Sequence, residues 1–330
     1  MGYRTLAIIA AAMLAWPALV QAQAQTQLQN YPARPIRFIV PFPPGGGTDT
    51  VARLIAQPLA ERLKQQIVID NRSGANAIIG TDLGAKAPAD GYTMVFCLPA
   101  SVSVNPTLYR DLPYDVARDF LPLIQLNAIA LLLVTANTLP AKNVAELIVL
   151  AKAKPGQFNY ASSGNGSAAH LSMELFNAMA GLKMVHVPYK GGGPALTDIV
   201  SGQMHMMSGP MIAALPQVKA GRIRALAVMT HKRVKGLPDV PTVGETVRGF
   251  ESSIWHGVLV PKGVPAAIVQ RLSRDINEVL RLPEVGERMA SQGAEVVGGS
   301  PDAFAALIRS ETIQYAKLLK AVGLARSVSQ

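Results

Sequence analysis

The chain has 330 residues, 49% of them hydrophobic, which exceeds the roughly 100–200 residues of one ordinary domain and points to two lobes. Its formal net charge of +10 favours acidic solutes or partners, with a plain solubility surface as the competing reading. Aromatic residues are only 5% and Lys and Arg are scattered, which argues against a nucleic-acid or sugar binder; the single cysteine, Cys97, excludes an intrachain disulfide framework.

In chain order, Arg4, an apolar run over residues 6–16 and Ala22-Gln23-Ala24 predict a secretory signal peptide over 1–24, cleaved near Ala22 or Ala24. That run is too short to span a membrane, and a later one at 129–134 is interrupted by Asn137 and Pro140. Strand-like runs follow at 36–40, 67–69 and 93–97. Between the first two, Val51, Leu54, Ile55, Leu59 and Leu63 recur at helical spacing, and Pro58 should kink or split that helix. Met94, Val95 and Phe96 beside Cys97 predict a buried, inert thiol. A second α/β series covers 129–134, 144–153, 158–161, 168–180, 184–187, 195–199, 204–207 and 223–228. A strand pattern at 255–260 then gives way to helices at 265–282, 284–292 and 301–320. The alternation predicts βαβ units and a parallel sheet, with the lobes expected at 31–129 plus 252–330 and at 130–251.

Three strand-to-glycine-to-helix joins stand out. The first runs through Phe42, Pro43, Pro44, Gly45, Gly46, Gly47, Thr48 and Asp49. It lacks the Lys-Ser/Thr pair of a P-loop and the spaced glycines of a dinucleotide fold, which leaves an unadorned set of backbone N–H groups suited to an anion. Asp49 can accept first-turn N–H groups or orient a ligand amine, hydroxyl or water, and Arg53 stands one turn on to neutralise it. Simple capping by Thr48 or Asp49 is the competing reading. The second join is Ser162, Ser163, Gly164, Asn165, Gly166 and Ser167 before a helix; the third is His186-Val187-Pro188-Tyr189-Lys190 before Gly191, Gly192, Gly193 and Pro194. With the first join on one lobe and the other two on the second, a carboxylated solute is clamped between them.

Catalysis has less support. His170, His186, His205, His231 and His256 lack zinc-site spacing. Ser163 and His170 offer a nucleophile and a base, without a Gly-x-Ser-x-Gly elbow or a Ser-x-x-Lys motif. Met204, Met206, Met207 and Met211 read as core filling, with copper binding as a minor alternative. Neither a metal nor a cofactor is expected.

Several motifs together resemble one family. They are Pro35-Ile36-Arg37-Phe38-Ile39-Val40-Pro41-Phe42, the Pro-Gly-Gly-Gly-Thr-Asp after it, Asp70-Asn71-Arg72-Ser73-Gly74-Ala75, His186-Val187-Pro188-Tyr189-Lys190-Gly191, Leu237-Pro238-Asp239-Val240-Pro241-Thr242 and Trp255-His256-Gly257. In order over nearly the whole mature chain, they resemble the Bug family, the periplasmic solute-binding proteins of tripartite tricarboxylate transporters. The resemblance implies an α/β, two-lobed, type II periplasmic-binding-protein (Venus-flytrap) fold with a ligand cleft between domains. It implies a ligand carboxylate held by the first glycine loop and by the loop and helix around Ser163, Gly164, Asn165, Gly166, Ser167 and His170, with bridging water. Tyr189, Lys190 and Asp198 then line the facing wall. The expected protein is a periplasmic monomer that captures a dicarboxylate, tricarboxylate, acidic amino acid or aromatic acid and delivers it to membrane subunits. The alternatives are a free-standing carboxylate sensor or adaptor and a hydrolase using Ser163 and His170. Two departures from the family pattern are Pro58 and the segment Ser73-Gly74-Ala75-Asn76-Ala77, which is usually richer in glycine. A third is the apolar segment Phe96-Cys97-Leu98-Pro99-Ala100-Ser101, which suits a ligand with an apolar or aromatic body; Ser101 is its polar contact, against the commoner fate of a surface-turn hydroxyl.

Overall fold

The computed structural model describes residues 31–325 except 46, 190, 191, 235, 292 and 322, so the predicted signal peptide lies outside the described residues. Strand β1 (Ile36–Val40) leads into helix α1 (Gly47–Leu63), β2 (Ile67–Asn71), α2 (Ile78–Ala85) and β3 (Thr93–Cys97). Helix α1 forms because Val51, Ala52, Ile55, Leu59 and Leu63 recur on one face and bury against Ile36, Phe38 and Val40. Pro58 lies inside this helix without splitting it, because the buried residues on both sides of it hold the two halves to one core. After β3 the chain makes a π-helical turn at Ala100–Val104 and a short helix at Asn105–Leu108.

The long strand β4 (Phe120–Ala136) carries the chain into a second series. This comprises α3 (Val144–Ala153), β5 (Asn159–Ser162), α4 (Ala168–Ala180), β6 (Val185–Pro188), α5 (Gly192–Val200), β7 (Met206–Pro210), α6 (Met211–Lys219) and β8 (Ile223–Val228). Strand β9 (Ser253–Pro261) returns it, followed by α7 (Ala266–Leu280), α8 (Pro283–Ser291), β10 (Ala294–Val296) and α9 (Pro301–Ala321).

The sheet is mixed, not parallel as the alternation predicted. β1 pairs parallel with β2 and β3, and β5 with β6 and β7. β4 and β9 run antiparallel to each other and to their neighbours, because one takes the chain out of the first strand set and the other brings it back. Apolar packing follows the same division. Clusters around Phe38, Phe96 and Leu272, and around Trp255 and Phe304, flank the first set; clusters around Tyr160, Phe176 and Phe250, and around Met204, Met207 and Met211, flank the second. The methionines thus fill core. A small cluster of Val104, Leu108, Leu171 and Leu319 joins the two sides.

Strand register fixes how the ends of the two sets are aimed. Cys97, at the C-terminal end of β3, stands opposite Gly257, which stands opposite Gln125 of β4. Pro210, at the C-terminal end of β7, stands opposite Leu131. β3 runs with β4 and β7 runs against it, so the two parallel sets end facing each other along β4. Between Gln125 and Leu131 the strand covers about 20 Å at roughly 3.3 Å per residue. Loops at the C-terminal ends of strands are where open α/β sheets place their ligands.

Candidate functional site

The first loop is organised by Asp49, which is 3% exposed. Its Oδ2 accepts the Gly45 N–H at 2.9 Å and Arg53 Nε at 2.9 Å, and its Oδ1 accepts Asn71 Nδ2 at 3.0 Å. Burial pushes this carboxyl up, but the hydrogen bonds from Arg53, Gly45 and Asn71 outweigh it and hold Asp49 down at about 2. Asp49 thus shapes the loop, through Gly45 ahead of the helix, Arg53 one turn on and Asn71 of β2. Asn71 Nδ2 also reaches the Phe42 carbonyl at 3.0 Å, tying the end of β2 to the loop after β1. The Gly45 N–H is already used, while Gly47 and Thr48 open α1, where first-turn N–H groups lack intrahelical acceptors. Pro44 and Gly45 are exposed, with Gly45 at φ 79°; Phe42 and Thr48 are half-buried. Gly46 lies outside the described residues.

The second loop rests on imidazoles. Gly166 N–H donates to His170 Nδ1 at 3.0 Å, and Gly164 N–H to Ser162 Oγ at 3.1 Å, which itself contacts His186 Nε2 at 2.6 Å. The rings of His170 and His186 stack at 3.8 Å, and Tyr160 stacks on His186 at 5.0 Å. Burial, then the neighbouring His186, pulls His170 down to about 4, so it stays neutral and can accept from Gly166. With Ser167 N–H on the Gly164 carbonyl at 3.2 Å, three of the loop's N–H groups are therefore spent on the protein. Ser167 caps α4, its Oγ accepting His170 N–H at 3.3 Å, which leaves the N–H groups of Ala168 and Ala169 as those the helix cannot satisfy itself. Ser163 and Asn165 are exposed at the turn, and Gly164 and Gly166 take φ of 130° and 73°.

The segment after β3 touches both the turn after β2 and the second loop. Asn76, after β2, donates to Asn105 Oδ1 at 2.9 Å. A side chain at Gly166 would meet Leu108 at 3.0 Å, and one at Gly164 would meet the Tyr189 carbonyl at 3.5 Å. Tyr189 N–H bonds to Ser162 O at 3.0 Å, which sets the third join beside the second. The Tyr189 hydroxyl gives its hydrogen to Asp198 Oδ2 at 2.6 Å, and that bond, with burial, pushes its pKa up to about 12. Tyr189 and Asp198 are thus paired with each other, and Lys190 lies outside the described residues.

Other sequence readings change in detail. Ser101 is fully buried, not on a surface turn; its Oγ accepts Leu98 N–H at 3.3 Å and reaches Leu98 O at 3.0 Å, closing the π-helical turn. Phe96 and Cys97 are fully buried in the core, while Leu98 and Ala100 are half-buried, and burial pushes the Cys97 thiol up. Ser163 and His170 share no hydrogen bond among the described residues. The hydroxyl that an imidazole reaches is that of Ser162, which is fully buried. Asn71, Asn76, Ser162 and His186 were not singled out as site residues, since nothing in single-residue chemistry marks a group whose work is to hold a loop.

The profile described as "Tripartite tricarboxylate transporter family receptor" (TctC) matches residues 51–324. Protein BugT of Bordetella pertussis is 39% identical over 302 residues, covering 91% of this chain and 93% of its own. A solved R. palustris protein, Rpa4515 with adipate, is 39% identical with a TM-score of 0.77, covering 89% of this chain and 99% of its own. MatC from Rhodopseudomonas palustris with bound malate is 31% identical with a TM-score of 0.73, covering 88% and 100%.

Proposed function

Because the chain belongs to the TctC family of tripartite tricarboxylate transporter receptors, with their two-lobed periplasmic-binding-protein fold, we propose that it captures a small carboxylate between its lobes. It is a receptor without catalytic turnover, works in the periplasm as a monomer after signal-peptide cleavage, and hands its ligand to membrane subunits. The lobes are residues 31–129 with 252–330 and residues 130–251, hinged where β4 and β9 cross between them. The observation that carries this reading is the register: two sets of parallel strands end facing each other along β4, each tipped by a helix start with unsatisfied N–H groups. A carboxylate bridging Thr48 and the Ala168–Ala169 amides, with Ser163, Asn165 and bridging water around it, favours the closed pair of lobes. Backbone donors suit the task because they are fixed by the fold and leave no isolated charge buried when the site is empty. The adipate and malate in similar proteins support a ligand with two carboxylates.

Ala168→Pro is the sharpest test. Ala168 is the first residue of α4 and Ser167 before it has φ −67° and ψ 158°, so proline fits both positions and removes one N–H only. A screen of carboxylates by thermal shift identifies the ligand, since saturation at 100 times Kd adds about 2.7 kcal/mol. The variant should then bind it about 10- to 100-fold more weakly with unchanged thermal stability, as expected for one charge-assisted hydrogen bond worth about 1.5–3 kcal/mol. Undiminished affinity in the folded variant removes Ala168 from the site.

A further inference from the structure

A cavity of about 1000 Å³ lies away from the glycine loops, between α9, the start of α7 and the segment leading into β4; no residue of either loop lines it. Its floor is apolar, formed by Val102, Tyr114, Phe120, Val264, Val269 and Ile308. Its volume is at the upper end of those that hold drug-sized ligands, about 300–1000 Å³. Around it stand three exposed cations, Arg110, Lys262 and Arg309, none of which enters an ion pair found among the described residues. The two acids on the rim have local work. Asp115 accepts the Arg118 N–H at 2.8 Å as a helix cap, and Asp302 lies in the first turn of α9. On α9 the lining residues Ala305, Ile308, Arg309, Thr312 and Ile313 recur at a spacing of three and four, so one face of the helix presents both apolar and cationic groups to the cavity. Ile313 remains 59% exposed there.

We infer that this cavity is a second binding site, for a monomeric single-chain amphiphile with an anionic head. The alkyl chain lies on the apolar floor, removing that surface and its own from water, and the carboxylate meets the exposed guanidinium and ammonium groups at the rim. A short hydrophilic diacid has no apolar body to cover the floor, which separates this ligand from the one held by the loops.

Titration calorimetry of the full chain with dodecanoate below its micelle concentration tests the inference, with dodecanol and dodecyltrimethylammonium as controls. Dodecanoate should bind once per chain and more tightly than either control. Ala305→Trp, which fills the cavity, should weaken it at least tenfold, and so should Lys262→Glu combined with Arg309→Glu, whose exposed positions keep the fold intact. Saturating adipate should leave dodecanoate binding unchanged. Equal affinity for dodecanol, undiminished binding in both variants, competition with adipate, or binding to anionic vesicles without binding to monomeric dodecanoate would each overturn it.

Discussion

At the scale of single residues, the site depends on groups that never need to touch the ligand. Asp49 satisfies Gly45, Arg53 and Asn71 at once, so removing its carboxylate takes from three donors, on the loop, on α1 and at the end of β2, the charged acceptor they share. Asp49→Ala should destabilise the protein by about 1–3 kcal/mol in denaturant unfolding and weaken ligand binding about tenfold. His170 does the same for Gly166 and is held neutral, with a pKa of about 4 against an ordinary value near 6.5. Its folded pKa is depressed, so its stabilising contribution is complete above about pH 6.5 and is lost as the pH falls through 4. An asparagine oxygen can accept the Gly166 N–H without titrating. The melting temperature of His170→Asn should therefore gain on the parent as pH is lowered from 6.5 to 4; a constant difference across that range contradicts the assignment.

At the scale of elements, the three glycine joins were legible in the sequence because apolar runs, glycines and helical periodicity change abruptly there, and each leaves a local signature. The length of β4 was not: Pro122, Gln125 and Asn127 interrupt its apolar run, and the strand exists through pairing with β9, which is 123 residues away at Ser253 opposite Ala130 and irregular near Pro122 and Gln125. The internal work of Asp49 was visible in its spacing to Arg53, whereas the part played by Asn71 needed the fold to bring β2 beside β1. The glycine-poor segment before α2 has a physical reading too. Ala75, Asn76 and Ala77 hold φ of 46°, 49° and 71°, a left-handed stretch that costs L-residues roughly 1–2 kcal/mol each. Hydrogen bonds between Asn76 and Asn105 hold it in place. Ala75 is exposed, so Ala75→Gly loses no packing and should stabilise the fold by about 1 kcal/mol, measured by urea unfolding.

At the scale of the whole molecule, one long strand and one returning strand turn two ordinary parallel strand sets into a pair of facing edges. Chain length anticipated the two lobes, but not the mixed sheet, because strand direction is decided by connections rather than by local pattern. In the function proposed above, each lobe supplies half of an anion site, so neither half binds well alone and ligand capture is coupled to closure. The crystal structure of the protein with a bound dicarboxylate tests this directly. One carboxylate should lie within hydrogen-bond reach of main-chain N–H groups at both helix starts, residues 47–49 and 168–169. A ligand held by side chains of one lobe only, with either helix start turned away from it, would contradict the account.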